Sequence, residues 1–188
     1  MRRFLPWLSV LVLAALPVLA AGPFSVLGVR PGMTVAEARA RLAHRGGRFR
    51  AAGSVDGVAT WRWKGPSDLP GDPRVAVRLE AAREAEDVPV ERVVVTADDP
   101  GPVAREWREE LARRWGQPVA PLVDLRDPRT GGPVEGTAWR RDGTVALMVV
   151  QKEGTPRGVT VRRIALFLEP EFDPVALLRR RYREIRRR

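Results

Sequence analysis

Phe49-Arg50-Ala51-Ala52-Gly53-Ser54-Val55-Asp56-Gly57-Val58-Ala59-Thr60-Trp61-Arg62-Trp63 reads as two β-strands joined by a tight turn. Asp-Gly best accommodates the positive φ angles of a two-residue hairpin loop, and the flanking runs carry the β-branched and aromatic residues that strands favour. On the second strand Trp61 and Trp63 are two residues apart and so share a face, with Arg62 pointing away. Asp142-Gly143, between Thr137 to Arg141 and Thr144 to Val150, marks a second hairpin of the same kind.

Upstream of the first hairpin, Thr34-Val35-Ala36-Glu37 forms a capping box, in which Thr34 and Glu37 satisfy backbone N–H groups of the first helical turn. Val35, Ala38 and Leu42 then fall on one helical face, and Gly46-Gly47 stops the helix. Downstream, a proline-rich link over 65–73 leads to a strand in which Val75, Val77 and Leu79 alternate with polar or small neighbours. The charged stretch 81–89 reads as a surface excursion. Arg92 to Thr96 is a further strand, its three consecutive valines implying burial on both faces.

Asp98-Asp99-Pro100-Gly101-Pro102 opens a second helix, along which Val103, Trp107, Leu111 and Trp115 recur every four residues until Gly116 and Pro118 close it. Residues 120–136, rich in Pro, Gly and Asp, read as a long loop. A last strand, Val159 to Glu169, precedes Asp173-Pro174, the start of a C-terminal helix. The two halves, 24–97 and 98–172, each run helix, hairpin, further strand, and Val58-Ala59-Thr60-Trp61-Arg62 resembles Gly136-Thr137-Ala138-Trp139-Arg140. The expected architecture is α+β, with helices packed on an antiparallel β-sheet, two similar helix-plus-hairpin halves as a candidate repeat within a domain over 21–172, and a basic C-terminal helix over 173–188.

At 188 residues the chain has room for a core of its own but not for a large barrel enzyme. Its net charge of +10 is unevenly placed: Arg2 and Arg3 carry +2, and the last ten residues, with seven Arg and one Glu, carry +6, which leaves +2 for everything between. Arg2-Arg3, the apolar run from Leu8 to Leu19 and the small residues around Ala20 read as an export signal over 1–20; the apolar run is shorter than the about 20 residues that span a bilayer comfortably, which favours cleavage over the alternative of a retained membrane anchor. The expected location is therefore exported, periplasmic or secreted after cleavage. With no cysteine in the chain, disulfides, thiolate zinc sites and cysteine nucleophiles are excluded.

Gly28-Val29-Arg30-Pro31-Gly32-Met33-Thr34-Val35-Ala36-Glu37-Ala38 resembles the Gly-Met-Thr-x-x-Glu-Val helix start of the small outer-membrane assembly lipoproteins of the SmpA/OmlA type, whose fold is shared with β-lactamase inhibitor protein. Arg113-Arg114-Trp115-Gly116-Gln117-Pro118 is similar to the Leu-Gly-x-Pro helix exit of the same class. The resemblance implies helices on one face of an antiparallel sheet and work by protein binding. The lipidation cysteine of the lipoproteins has no counterpart here.

No residue pattern signals catalysis, a metal or a small-molecule cofactor. His44 is the only histidine and sits at a helix C-terminal end, a favourable place for a solvated histidine. Mature serines occur only at 25, 54 and 67, none in a nucleophile elbow. Asp98-Asp99 and the pair Asp124 and Asp127 adjoin Pro or Gly, where Asp serves turns and caps. Their alternative use is in a carboxylate-dependent hydrolase of an envelope or extracellular substrate. Trp61 and Trp63 are candidate contacts for a partner if their face is open, and core otherwise.

In the tail, Val175, Leu178, Tyr182 and Ile185 occupy an arc of about 80° at 100° per residue. Arg180, Arg181, Arg183, Arg187 and Arg188 lie elsewhere on the helix, making it basic and amphipathic, able to lie on an anionic surface, to pack its apolar stripe on the domain, or to serve as a solvated helix end that complements its own dipole. The expectation is an exported, non-catalytic envelope protein that binds a protein partner or the anionic envelope surface through these arginines, with nucleic acid disfavoured by export.

Overall fold

The computed structural model describes residues 23–170 apart from 56, 72, 99, 101–102, 127–132 and 156–157, and only the backbone of 55, 120–126, 133, 153–155 and 158–159. The export signal expected over 1–20 and the basic helix expected over 173–188 lie outside the described residues. In chain order the elements are α1 (Val35–Ala43), β1 (Arg48–Val55), β2 (Val58–Pro66), β3 (Arg74–Ala81), β4 (Arg92–Asp98), α2 (Ala104–Trp115), β5 (Ala120–Arg126), β6 (Pro133–Arg141), β7 (Thr144–Thr155) and β8 (Gly158–Glu169).

All the strands join one eight-stranded antiparallel sheet in the order β1-β2-β3-β4-β8-β7-β6-β5. Each helix is followed by a four-strand meander, and the two meanders meet where β4 pairs with β8. The expected α+β layering of helices packed on a sheet is corrected by this arrangement. The helices span only 9 and 12 residues, so the continuous sheet, and not a helical layer, sets the architecture. The supposed loop over 120–136 contributes β5 and the start of β6. Pro121 concealed that strand, and β5 lies at the sheet edge, the position in a sheet where proline is tolerated.

Local chemistry accounts for the joints. In α1, Thr34 Oγ1 accepts from the Glu37 N–H at 3.2 Å while Glu37 Oε2 accepts from the Thr34 N–H at 2.7 Å, the reciprocal capping box. At the second hairpin Asp142 and Gly143 take φ 48° and 70°, the pair of positive values of a type I′ turn. At the first, Val55 pairs with Val58 and Gly53 with Thr60, but Ala51 pairs with Trp61, so Ala52 is an extra residue in a β-bulge beside Gly53 at φ 85°.

The sheet has two unlike faces. One carries the main core: Trp61, Trp63, Val77, Leu79, Val93, Val95, Trp139, Ile164 and Leu166 gather with Val35, Ala38 and Leu42 of α1 and Trp107, Leu111 and Trp115 of α2. On the other, over β4, β8, β7 and β6, a second cluster of Val94, Val134, Ala138, Val145, Leu147, Val149, Ala165 and Phe167 is also buried. Val93, Val94 and Val95 divide between the two, as three consecutive valines in a doubly covered strand must. Trp63 packs closely against glycine backbone: a Cβ on Gly65 would come within 2.3 Å of its ring, and one on Gly47 within 2.9 Å of its Nε1.

Candidate functional site

Trp61 and Trp63 are 4% and 1% exposed, so both belong to the core and neither offers a surface to a partner. The other described tryptophans also hold the structure together. Trp107 Nε1 donates to the Pro70 carbonyl at 3.0 Å and Trp139 Nε1 to that of Gly116 at 2.9 Å. Trp115 sits between Phe24 and Trp139, with ring centroids 5.0 and 5.6 Å away. These contacts tie the first described residues, the end of α2 and β6 into one aromatic cluster.

The remaining candidates are dispersed. Arg180, Arg181, Arg183, Arg187 and Arg188 lie outside the described residues, as does Asp127. Asp124 lies within β5, whose side chains are not described. His44 caps the C-terminal end of α1, as its position beside Gly46 implies. Among the described residues no three His, Cys, Asp or Glu side chains gather as metal ligands would.

Two open depressions flank the first described residues. One, of about 430 Å³, is lined by residues including Leu27, Asp68, Arg114 and Trp115. Its carboxylate is already engaged, by Arg45 at 3.2 Å and Arg114 at 3.9 Å. The other, of about 510 Å³, includes Arg30, Met33, Glu37 and Arg41. There Glu37 is held below the usual carboxylate range by its hydrogen bonds from Thr34. Each of these depressions presents one carboxylate committed to a structural partner.

That commitment recurs across the fold. Glu80 lies against Arg78 and Arg92, Glu110 against Arg113 and Arg114, and Glu135 against Arg108 and Lys152, so with Asp68 each of these acids is shared by two cations. Glu110 is held below the usual carboxylate range by its hydrogen bond from Arg114, and Glu135 by those from Lys152 and then Arg108. Single pairs join Arg39 to Glu86, Arg83 to Asp87, Arg105 to Glu109 and Arg163 to Asp98. Arginine is in surplus over the carboxylates that could neutralise it.

The residues that composition and spacing did not single out are Arg48, Arg50, Arg62, Lys64 and Arg74. They are exposed on the sheet face opposite the tryptophans, and among the described residues no carboxylate pairs with them. No family model, curated protein or solved structure matches the chain.

Proposed function

We propose that the chain is an exported, non-catalytic envelope protein that works by binding an anionic surface, with the C-terminal arginines Arg180, Arg181, Arg183, Arg187 and Arg188 as its contacts. The observation that carries this reading is the double engagement of four of the fold's acids: Asp68, Glu80, Glu110 and Glu135 each already face two cations. A segment of net +6 at the chain end finds these four acids already engaged, which supports an external counterpart. Guanidinium suits that role because its planar fork pairs bidentately with phosphate and carboxylate. Export rests on the charged, apolar and small-residue order of residues 1–20, and no helix among the described residues is long and apolar enough to cross a membrane.

The likeness to the SmpA/OmlA-type proteins belongs to the same reading. It is supported by the Gly-Met-Thr-x-x-Glu segment, which forms a capped helix of the kind that motif specifies.

Replacing Arg180, Arg181, Arg183, Arg187 and Arg188 together by Gln tests the assignment. Each arginine near anionic lipid contributes about 1 kcal/mol, so partition of the full chain onto phosphatidylglycerol vesicles should fall by at least a hundredfold at low salt. Unchanged partition would remove the tail from the function.

A further inference from the structure

Cross-strand register places basic residues opposite one another on one face of β1, β2 and β3. Arg50 pairs with Arg62, and Arg62 pairs with Arg78; beside that row Arg48 pairs with Lys64, and Arg74 stands opposite Pro66. Phe49, Trp61 and Trp63 occupy the alternate positions and face the core, so alternation along each strand puts these cations together on the outer face. Directly opposed side chains on an antiparallel pair have Cβ atoms about 5 Å apart, and like charges so placed destabilise the sheet. Among the described residues the one acid on this part of the face, Glu80, is shared between Arg78 and Arg92. Arg48, Arg50, Arg62, Lys64 and Arg74 are exposed, with no carboxylate partner among the described residues. A fold that pairs so many of its other arginines leaves these together at an electrostatic cost.

We infer that this outer face of β1–β3 is a second binding surface, and that its occupant is the headgroup layer of an anionic phospholipid membrane. The inference rests on the envelope reading above but on different residues. Charge complementarity fixes the sign of the occupant, and the repulsion between the exposed Arg50 and Arg62 is relieved once phosphates sit between them. The form of the face fixes the class. Its cations spread over three strands of a sheet, and every aromatic residue of these strands is on the opposite face, so there is no platform on which bases of a single-stranded nucleic acid could stack. The C-terminal tail, itself of net +6, does not complement the charge of this patch.

The test is partition of the full chain onto vesicles of phosphatidylglycerol mixed with phosphatidylcholine, comparing R50Q/R62Q with the charge-matched control R83Q/R105Q, whose arginines are exposed but paired with Asp87 and Glu109. R50Q/R62Q should bind about 30-fold more weakly at low salt, while its midpoint of thermal unfolding stays unchanged or rises because like charges have been separated. The control should lose far less binding. The same ladder loss should persist in the chain whose tail arginines are Gln, which separates failure of the ladder from failure of the tail. Three outcomes overturn the inference: equal loss in R83Q/R105Q, which would reduce the effect to net charge; lowered thermal stability with unchanged partition, which would make the arginines structural; and tighter, R50/R62-dependent binding of duplex DNA than of vesicles at matched salt.

Discussion

At the scale of single residues, the acids set how the fold responds to pH. Glu135 has its carboxyl held below the usual range by hydrogen bonds from Lys152 and Arg108. A depressed pKa in the folded state means that the unfolded chain takes up a proton first as pH falls. The stabilisation is therefore complete above the ordinary carboxylate pKa of about 4.3 and is lost as pH drops through the lower folded value. Glu135→Gln should cost about 1 to 2 kcal/mol at neutral pH, and the gap to the unsubstituted chain should close on acidification. Denaturant midpoints measured at neutral and acidic pH check this, and a gap that stays constant with pH would assign the loss to packing instead. The pairing of Glu135 with α2 and β7 was not legible in the sequence, because its partners stand 27 and 17 residues away and only the folded register brings them together.

At the scale of elements, the sequence pattern was most informative where backbone chemistry is local. The capping box of α1, both Asp-Gly turns and the double burial of Val93 to Val95 follow from short-range steric and hydrogen-bonding rules. β5 was hidden by its proline. The basic ladder was hidden by a single extra residue: a two-residue turn that pairs Val55 with Val58, continued without a break, would set Arg50 opposite Trp63 on the core face. The bulge at Ala52 moves Arg50 opposite Arg62 instead, since a one-residue slip exchanges the two faces of a strand. The bulge depends on Gly53, whose φ of 85° is costly for other residues although nothing crowds the site. Gly53→Ala should cost about 1 kcal/mol. Gly47→Ala should cost clearly more, because at φ 103° its new Cβ also meets the Lys64 carbonyl at 2.5 Å and Trp63. Thermal unfolding of the two variants gives the ranking, and the reverse order would contradict the close approach of Trp63 to the glycine backbone.

At the scale of the whole molecule, net charge alone is a poor guide to where an anion would bind. The total of +10 divides in the sequence into a basic start, a basic end and a nearly neutral middle, yet the middle is neutral only as a sum. Folding brings Asp68, Glu80, Glu110 and Glu135 between pairs of cations and leaves Arg48, Arg50, Arg62, Lys64 and Arg74 together on one open face. The neutral body is thus also a polarised one. Binding to an anionic surface through unpaired arginine is tested most directly by the partition of the full chain onto phosphatidylglycerol-containing vesicles as ionic strength is raised from about 0.01 M to about 1 M, over which the screening length falls from about 30 Å to about 3 Å. Tight binding at low salt that falls steeply along this series, with none to phosphatidylcholine alone, is the expected result; binding that is absent at low salt, or equal on neutral vesicles and insensitive to salt, would contradict it.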